Sequence, residues 1–225
     1  SAASFYQLPS NSITVLPNPV DTDALRQTIE QQQRPETAPT LKLVCVGRMT
    51  EEKGHRDLLN AIVIAQANWP NANPAIQLRL IGDGPLRTDL ELQAREIRKP
   101  HSVEFSGTLS NVGPSIINSD ALILPSLFEG MPNVVLEAMA LGTPVIATRA
   151  GGTIELEREE PTILWAEPQN PNSLAEAILS FASDPKSAVR RTQAATRLIT
   201  EHHNIETTCH HLEQYLTAAC VHESN

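Results

Sequence analysis

Three stretches of the chain carry residue types that could do chemistry. The first is Gly47-Arg48-Met49-Thr50-Glu51-Glu52-Lys53-Gly54. Its glycines allow close backbone approach, and Arg48 and Lys53 offer a forked and a point-like cation to a phosphate. Taken alone it fits a solvated turn before a helix equally well. The second stretch is Gly82-Asp83-Gly84-Pro85. It fails as a dinucleotide fingerprint, because the third glycine of G-x-G-x-x-G would fall at Arg87, and no G-x-x-x-x-G-K-[ST] phosphate loop occurs in the chain. A nicotinamide oxidoreductase and a P-loop hydrolase both lose weight, and a plain tight turn accounts for these glycines.

The third stretch runs from Leu124 to Val145, with Glu129 and Gly130 in a loop, a helix beginning near Asn133 and Glu137 in its early turns. On one continuous helix the two glutamates would stand roughly 12 Å apart along the axis. With Glu129 in the loop they can face one cleft. Free amides near Gly130, Met131, Asn133 and Val134 form a helix N-terminus, which favours an anion such as a diphosphate. Carboxylates beside that anion make sense as acceptors for neutral hydroxyls, one on a sugar and one on a ribose, while the amides, Arg48 and Lys53 hold the charge. For either glutamate alone, complementing the helix dipole or sitting solvated in a loop are the alternatives.

Elements must place these stretches together. From about residue 41, short Val-, Ile- and Leu-rich runs alternate with segments of helical period, the pattern of an α/β chain with a parallel sheet and crossover helices. Strands are predicted over 41–46, 76–81, 103–105, 121–124, 144–147 and 162–164, most of them apolar throughout, as strands buried on both faces should be. Helices are predicted over 55–68, 86–98, 116–119 and 134–141, the last closed by Gly142, and then over 172–182, 186–200 and 206–219. The final one carries Leu212, Tyr215, Leu216 and Ala219 on one stripe. The expected fold is a Rossmann-like, doubly wound parallel sheet of about six strands with C-terminal helices. Ligands bind such sheets at the carboxyl ends of the strands, where all three stretches fall. Ahead of the sheet come an extended run over 13–17, a polar helix over 21–33 and a loop over 34–40. The expected division is a lead-in over 1–40, the Rossmann-like domain over 41–200, and a C-terminal helix and tail over 201–225.

Composition sets outer bounds. The 225 residues carry a net charge of -9 with no segregated basic patch, which argues against nucleic acid as the main partner. No apolar run approaches the roughly 20 residues that span a bilayer. The first residues lack the basic start and apolar stretch of a secretion signal, and three cysteines without metal-ligand spacing suit a reducing cytoplasm. His202, His203, His210 and His211 lack the i, i+4 spacing of a helical metal site and read as solvated; His55 reads as a helix-start residue.

In order and spacing these residues resemble one family: the C-terminal, nucleotide-sugar-binding domain of retaining glycosyltransferases of family four, which have the two-Rossmann-domain GT-B architecture. The resemblance spans about 13–216. It rests on Val15-Leu16-Pro17-Asn18-Pro19-Val20-Asp21, Val46-Gly47-Arg48 with Lys53-Gly54, Gly82-Asp83-Gly84-Pro85, Val103-Glu104-Phe105-Ser106-Gly107, the Glu129 and Glu137 pair with seven residues between, and Thr148-Arg149-Ala150-Gly151-Gly152 with Glu155. It implies that Arg48, Lys53 and Glu129 are catalytic, the two cations on the donor diphosphate and Glu129 on hydroxyls of the transferred sugar. It further implies that Glu137 meets the ribose, that Gly47, Gly82 and the backbone of Gly130, Met131, Asn133 and Val134 line the donor site, and that Val103 and Phe105 lie near the base. The implied donor is a nucleotide diphosphate sugar, UDP first, with GDP or ADP as alternatives, used without cofactor or metal. The implied acceptor is a glycan or lipid-linked sugar, held by an N-terminal domain not found in this chain. Cell-surface polysaccharide or lipopolysaccharide assembly would follow, in the cytoplasm or at the inner membrane face, with peripheral membrane association of the full-length enzyme. A GT-B nucleotide-sugar epimerase and a non-catalytic nucleotide-binding module are the competing readings. The chain departs from the family's usual Asn-Gly-Val-Asp at Pro19, outside the supposed phosphate site, and lacks a glycine turn over 156–161.

Overall fold

In the computed structural model, which describes residues 16–27 and 40–222, six parallel strands lie in the order β3-β2-β1-β4-β5-β6. They are β1 (Thr40–Val46), β2 (Ala75–Ile81), β3 (Ser102–Gly107), β4 (Ala121–Leu124), β5 (Val145–Thr148) and β6 (Leu164–Ala166). The helices are α1 (Thr22–Gln27), α2 (His55–Ala67), α3 (Arg87–Gln93), α4 (Gly113–Ile117), α5 (Asn133–Ala140), α6 (Pro171–Ser183), α7 (Pro185–His202) and α8 (Ile205–His222). That strand order is the doubly wound pattern with its reversal between β1 and β4.

The continuous apolar runs arise because successive strand side chains point to opposite faces and both faces are covered. Leu41, Leu43 and Cys45 of β1, with Ile123 and Ile146, join the core under α2 and α6; Val44, Leu122, Leu124, Val145 and Ala147 join the core under α5 and α7. Helix α2 commits Leu58, Leu59, Ala61, Ile62 and Ala65, all fully buried, to the first of these cores. Helix α5 ends as its Gly142 predicted: that residue takes φ +70, its amide reaches the Met139 carbonyl, and the Thr143 amide reaches the Ala138 carbonyl.

Several boundaries differ from expectation. The helix predicted over 86–98 stops at Gln93 and tightens into a 3-10 turn at Ala94–Glu96, where the Gln66 side chain clasps the Glu96 carbonyl and the Arg98 amide. The helix predicted over 116–119 starts earlier, at Gly113, with Pro114 in its first turn. The last strand begins two residues later than predicted, because the Thr162 hydroxyl turns to the Leu156 carbonyl and only Leu164 to Ala166 reach β5. Of the 21–33 helix only Thr22–Gln27 falls among the described residues; most of the 13–17 run and all of the 34–40 loop but Thr40 fall outside them.

The lead-in is woven into the fold. Val20 is 5% exposed within the core under α5, its amide donates to the His203 carbonyl, and the Ile205 amide donates back to the Val20 carbonyl. His203, expected to be solvated, is 2% exposed, with its Nδ1 3.0 Å from the Asn18 carbonyl. On α8, Leu212, Tyr215 and Leu216 stand exposed. Among the described residues no helix is long and apolar enough to cross a membrane.

Candidate functional site

The loops leaving β1 and β4 meet at the reversal of strand order, where β1 pairs with both β2 and β4. Their mutual position is set by backbone contact. Gly54 takes φ +66, and a Cβ there would lie 2.0 Å from the Pro125 carbonyl oxygen, so only glycine lets the start of α2 sit against the β4 loop. The Leu127 amide donates to the Glu52 carbonyl at 2.8 Å on the same side. From the other side the Gly152 amide donates to the Glu129 carbonyl at 3.0 Å, and a Cβ on Gly151 would come within 1.9 Å of that oxygen. The Glu129 loop is clamped between its neighbours.

The clamp brings two expected site residues together across 76 positions. Lys53 Nζ lies 2.6 Å from Glu129 Oε1, which also accepts from the buried Ser126 hydroxyl at 2.7 Å. Ser126 is held in turn, its carbonyl accepting from the Thr148 hydroxyl. Glu129 is 9% exposed, and among the described residues nothing donates to its Oε2. A buried carboxylate with a cation on one oxygen and the other unused can accept a hydroxyl proton from a ligand.

Arg48 stands exposed nearby with no ion pair among the described residues. Gly47 and Gly82 close the two loops beside it: a Cβ on Gly82 would meet the Gly47 carbonyl at 2.0 Å, and the Met49 amide bonds the Asp83 carbonyl at 2.9 Å. The carboxylate of half-buried Glu137 has no hydrogen-bond partner among the described residues, and burial pushes it above the usual range. No side chain caps the N-terminus of α5, next to Gly130, Met131, Asn133 and Val134. Val103 and Phe105 pack their side chains on the core face of β3, so what that strand turns to the loops is backbone: the Gly107 carbonyl accepts from the Gly82 amide at 2.8 Å.

Three residues at this end carry no local signal of their part in it. Ser126 lies in the Leu124–Val145 stretch with nothing in its neighbours to mark it. Asn18 belongs to the lead-in, yet its Nδ2 donates to Asn133 Oδ1 at 2.9 Å, tying that segment to the start of α5. His55 is 1% exposed, lies beside Gly47 and Lys53, and has no partner for either ring nitrogen among the described residues. Burial, helped by the Lys53 charge, pushes its pKa down to about 4. The folded state therefore resists a proton that the unfolded chain takes up near its ordinary value. Stability should be fully present above about pH 6.5 and fall as pH drops toward 4, by about 3 kcal/mol for this residue. Urea midpoints across that window should show the slope in the parent chain and a flatter one in His55→Leu.

The model of the family described as glycosyl transferases group 1 matches residues 26–198. A glycogen synthase of Mycobacterium tuberculosis is 32% identical over 209 residues, covering 92% of this chain and 49% of that protein. The chain thus spans about half the length of that relative. Among solved structures, Anabaena HepE in complex with UDP superposes with a TM-score of 0.78 at 20% identity, covering 96% of this chain and 61% of that one. The C-terminal domain of a group 1 glycosyl transferase, LpcC of Francisella tularensis, superposes with a TM-score of 0.64 at 20% identity, covering 84% of this chain and 97% of that domain. With the fold of a GT-B C-terminal domain and a family match over most of its length, this chain belongs to the glycosyl transferases group 1.

Proposed function

We propose that the chain is the donor-binding half of a retaining glycosyltransferase, which takes a sugar from a nucleotide diphosphate and passes it to a glycan or lipid-linked acceptor held by another domain. The observation that carries the reading is the Lys53–Glu129–Ser126 cluster at the strand-order reversal, with Glu129 and Ser126 buried, beside Arg48, which has no ion pair among the described residues, and the start of α5, whose N-cap is a proline. Arg48, Lys53 and the α5 amides face the diphosphate, where negative charge grows as the glycosidic bond breaks; fixed donors aimed at that charge stabilise the departing group. In this reading the protein's own cations do this work and no metal takes part. Lys53 touches both partners, so it sets the sugar, held by Glu129, at a fixed distance from the leaving phosphate. Glu137 receives the ribose hydroxyls.

UDP is the proposed nucleotide, supported by HepE having been crystallised with it, and the glycogen synthase relative supports a polysaccharide acceptor, assembled on the cytoplasmic side. Calorimetric titration with UDP, GDP and ADP tests the donor site. Selective UDP binding, weakened about 10- to 100-fold in Arg48→Ala through loss of one charge-assisted contact, is expected. Absence of binding to all three would overturn the reading for this chain.

A further inference from the structure

The opposite end of the sheet holds a separate cavity of about 840 Å³, at the amino ends of β2 and β3 and away from the loops of the donor site. That volume lies in the range of sites that hold small organic ligands. Its walls are set by hydrogen bonds. The Trp69 indole donates to the Pro74 carbonyl and stands edge-on to His101 with 5.7 Å between ring centres. His101 Nδ1 in turn accepts from the first core amide of β2, that of Ile76.

Three features of the lining point to a ligand. Arg95, Arg98 and Lys99 stand within five residues of one another, exposed and without an ion pair among the described residues, in a chain that carries only 17 Lys and Arg in all. Glu96 is the one acid beside them, so the rim is net positive on an otherwise acidic protein, a local field that attracts anions. Asn73 lines the cavity as well; its Nδ2 is enclosed and without a partner among the described residues, so the side chain meets a ligand hydroxyl through its Oδ1 acceptor. Finally, Trp69 and Asn71 give the same cavity a half-buried aromatic ring and an exposed amide.

Cations alone would suit any phosphate. Cations with amides and an aromatic face suit a carboxylated sugar, whose hydroxyls pair with amides, whose C–H face packs on a ring and whose carboxylates fit a guanidinium fork. We propose that this cavity binds a short acidic oligosaccharide, with carboxylates on Arg95, Arg98 and Lys99, hydroxyls on Asn71 and Asn73, and one sugar face on Trp69. The site is independent of the donor-site reading: it shares no residue with it and lies at the other pole of the sheet.

The test uses the 225-residue chain and trigalacturonate as probe. The chain has two tryptophans, Trp69 and Trp165, whose indole N–H resonances can be assigned with Trp69→Phe. Trigalacturonate should shift the Trp69 signal saturably and leave Trp165 in place. The double variant Arg98→Gln, Lys99→Gln should bind it at least about tenfold more weakly, since each lost charge-assisted contact carries about that much. Arg95→Gln gives a second, independent reading, and circular dichroism confirms that either variant is folded. Neutral maltotriose should bind far more weakly, and inorganic phosphate should leave the Trp69 signal unmoved. No shift with trigalacturonate, equal binding of maltotriose, an equal response to phosphate, or unchanged affinity in the folded variants would each overturn the proposal.

Discussion

Glu129→Ala is expected to separate two ligands that differ only in a sugar. In the parent chain Lys53 is held by Glu129 at 2.6 Å, so a diphosphate must share that cation. Removing the carboxylate frees Lys53, and bare UDP should bind as well as before or better. The matching nucleotide sugar loses the acceptor for its hydroxyls and should bind at least about tenfold more weakly relative to UDP. On the proposed function, loss of this carboxylate should lower sugar transfer by at least about 100-fold, the scale on which such positioning contacts act. Calorimetry with both ligands on both proteins gives the double difference. Equal losses for the two would take Glu129 away from the sugar and leave it a structural partner of Lys53. Glu129→Gln is the companion variant, keeping an acceptor for the Ser126 hydroxyl while removing the charge.

Gly54→Ala is expected to cost the fold heavily, as one of the positive-φ glycines whose Cβ would meet a backbone carbonyl oxygen at about 2 Å. Two costs add there: a left-handed φ of +66, worth about 1–2 kcal/mol for any residue with a Cβ, and a Cβ placed 2.0 Å from a backbone oxygen that cannot swing away. A total of at least about 3 kcal/mol should lower the melting temperature by roughly 6–12 °C for a chain of this size. Two other glycines serve as internal standards. Gly142 has a similar φ of +70 but open space around it, so alanine should bring the conformational cost alone; a Cβ on Gly130 would meet nothing within 4 Å and the residue has no positive φ, so alanine should be nearly neutral. Urea unfolding of the three variants should rank them in that order, and Gly54→Ala no worse than Gly142→Ala would remove the close-contact argument.

Regular elements are legible in the residues because they repeat. Leu43, Val44 and Cys45 are apolar in sequence because β1 is covered on both faces, and such a run, alternating with segments of helical period, marks a buried parallel strand. Arg48, Lys53 and Glu129 can be named as candidates because their loops follow such strands, and Glu137 because the helix that opens after its loop carries it in its early turns. The Lys53–Glu129 bond cannot be read the same way, since it depends on how closely Gly54 and Gly151 let three loops approach. His203 reads as solvated for the same reason: its burial comes from residues 18 and 20, far off in the chain, and no local period records a contact of that range.

That contact also bears on how the molecule assembles. Asn18 and His203 meet across a sequence separation of 185, and the two central strands of an all-parallel sheet cannot pair until long crossovers have closed. Contacts between distant parts of a chain slow the search for the native state, because loop entropy is lost before the pairing offsets it. The Val20 bridge closes the largest of these loops with one buried side chain and a few backbone bonds rather than a full ladder. It belongs with the last contacts to form, docking at the α7–α8 junction once the six strands have paired.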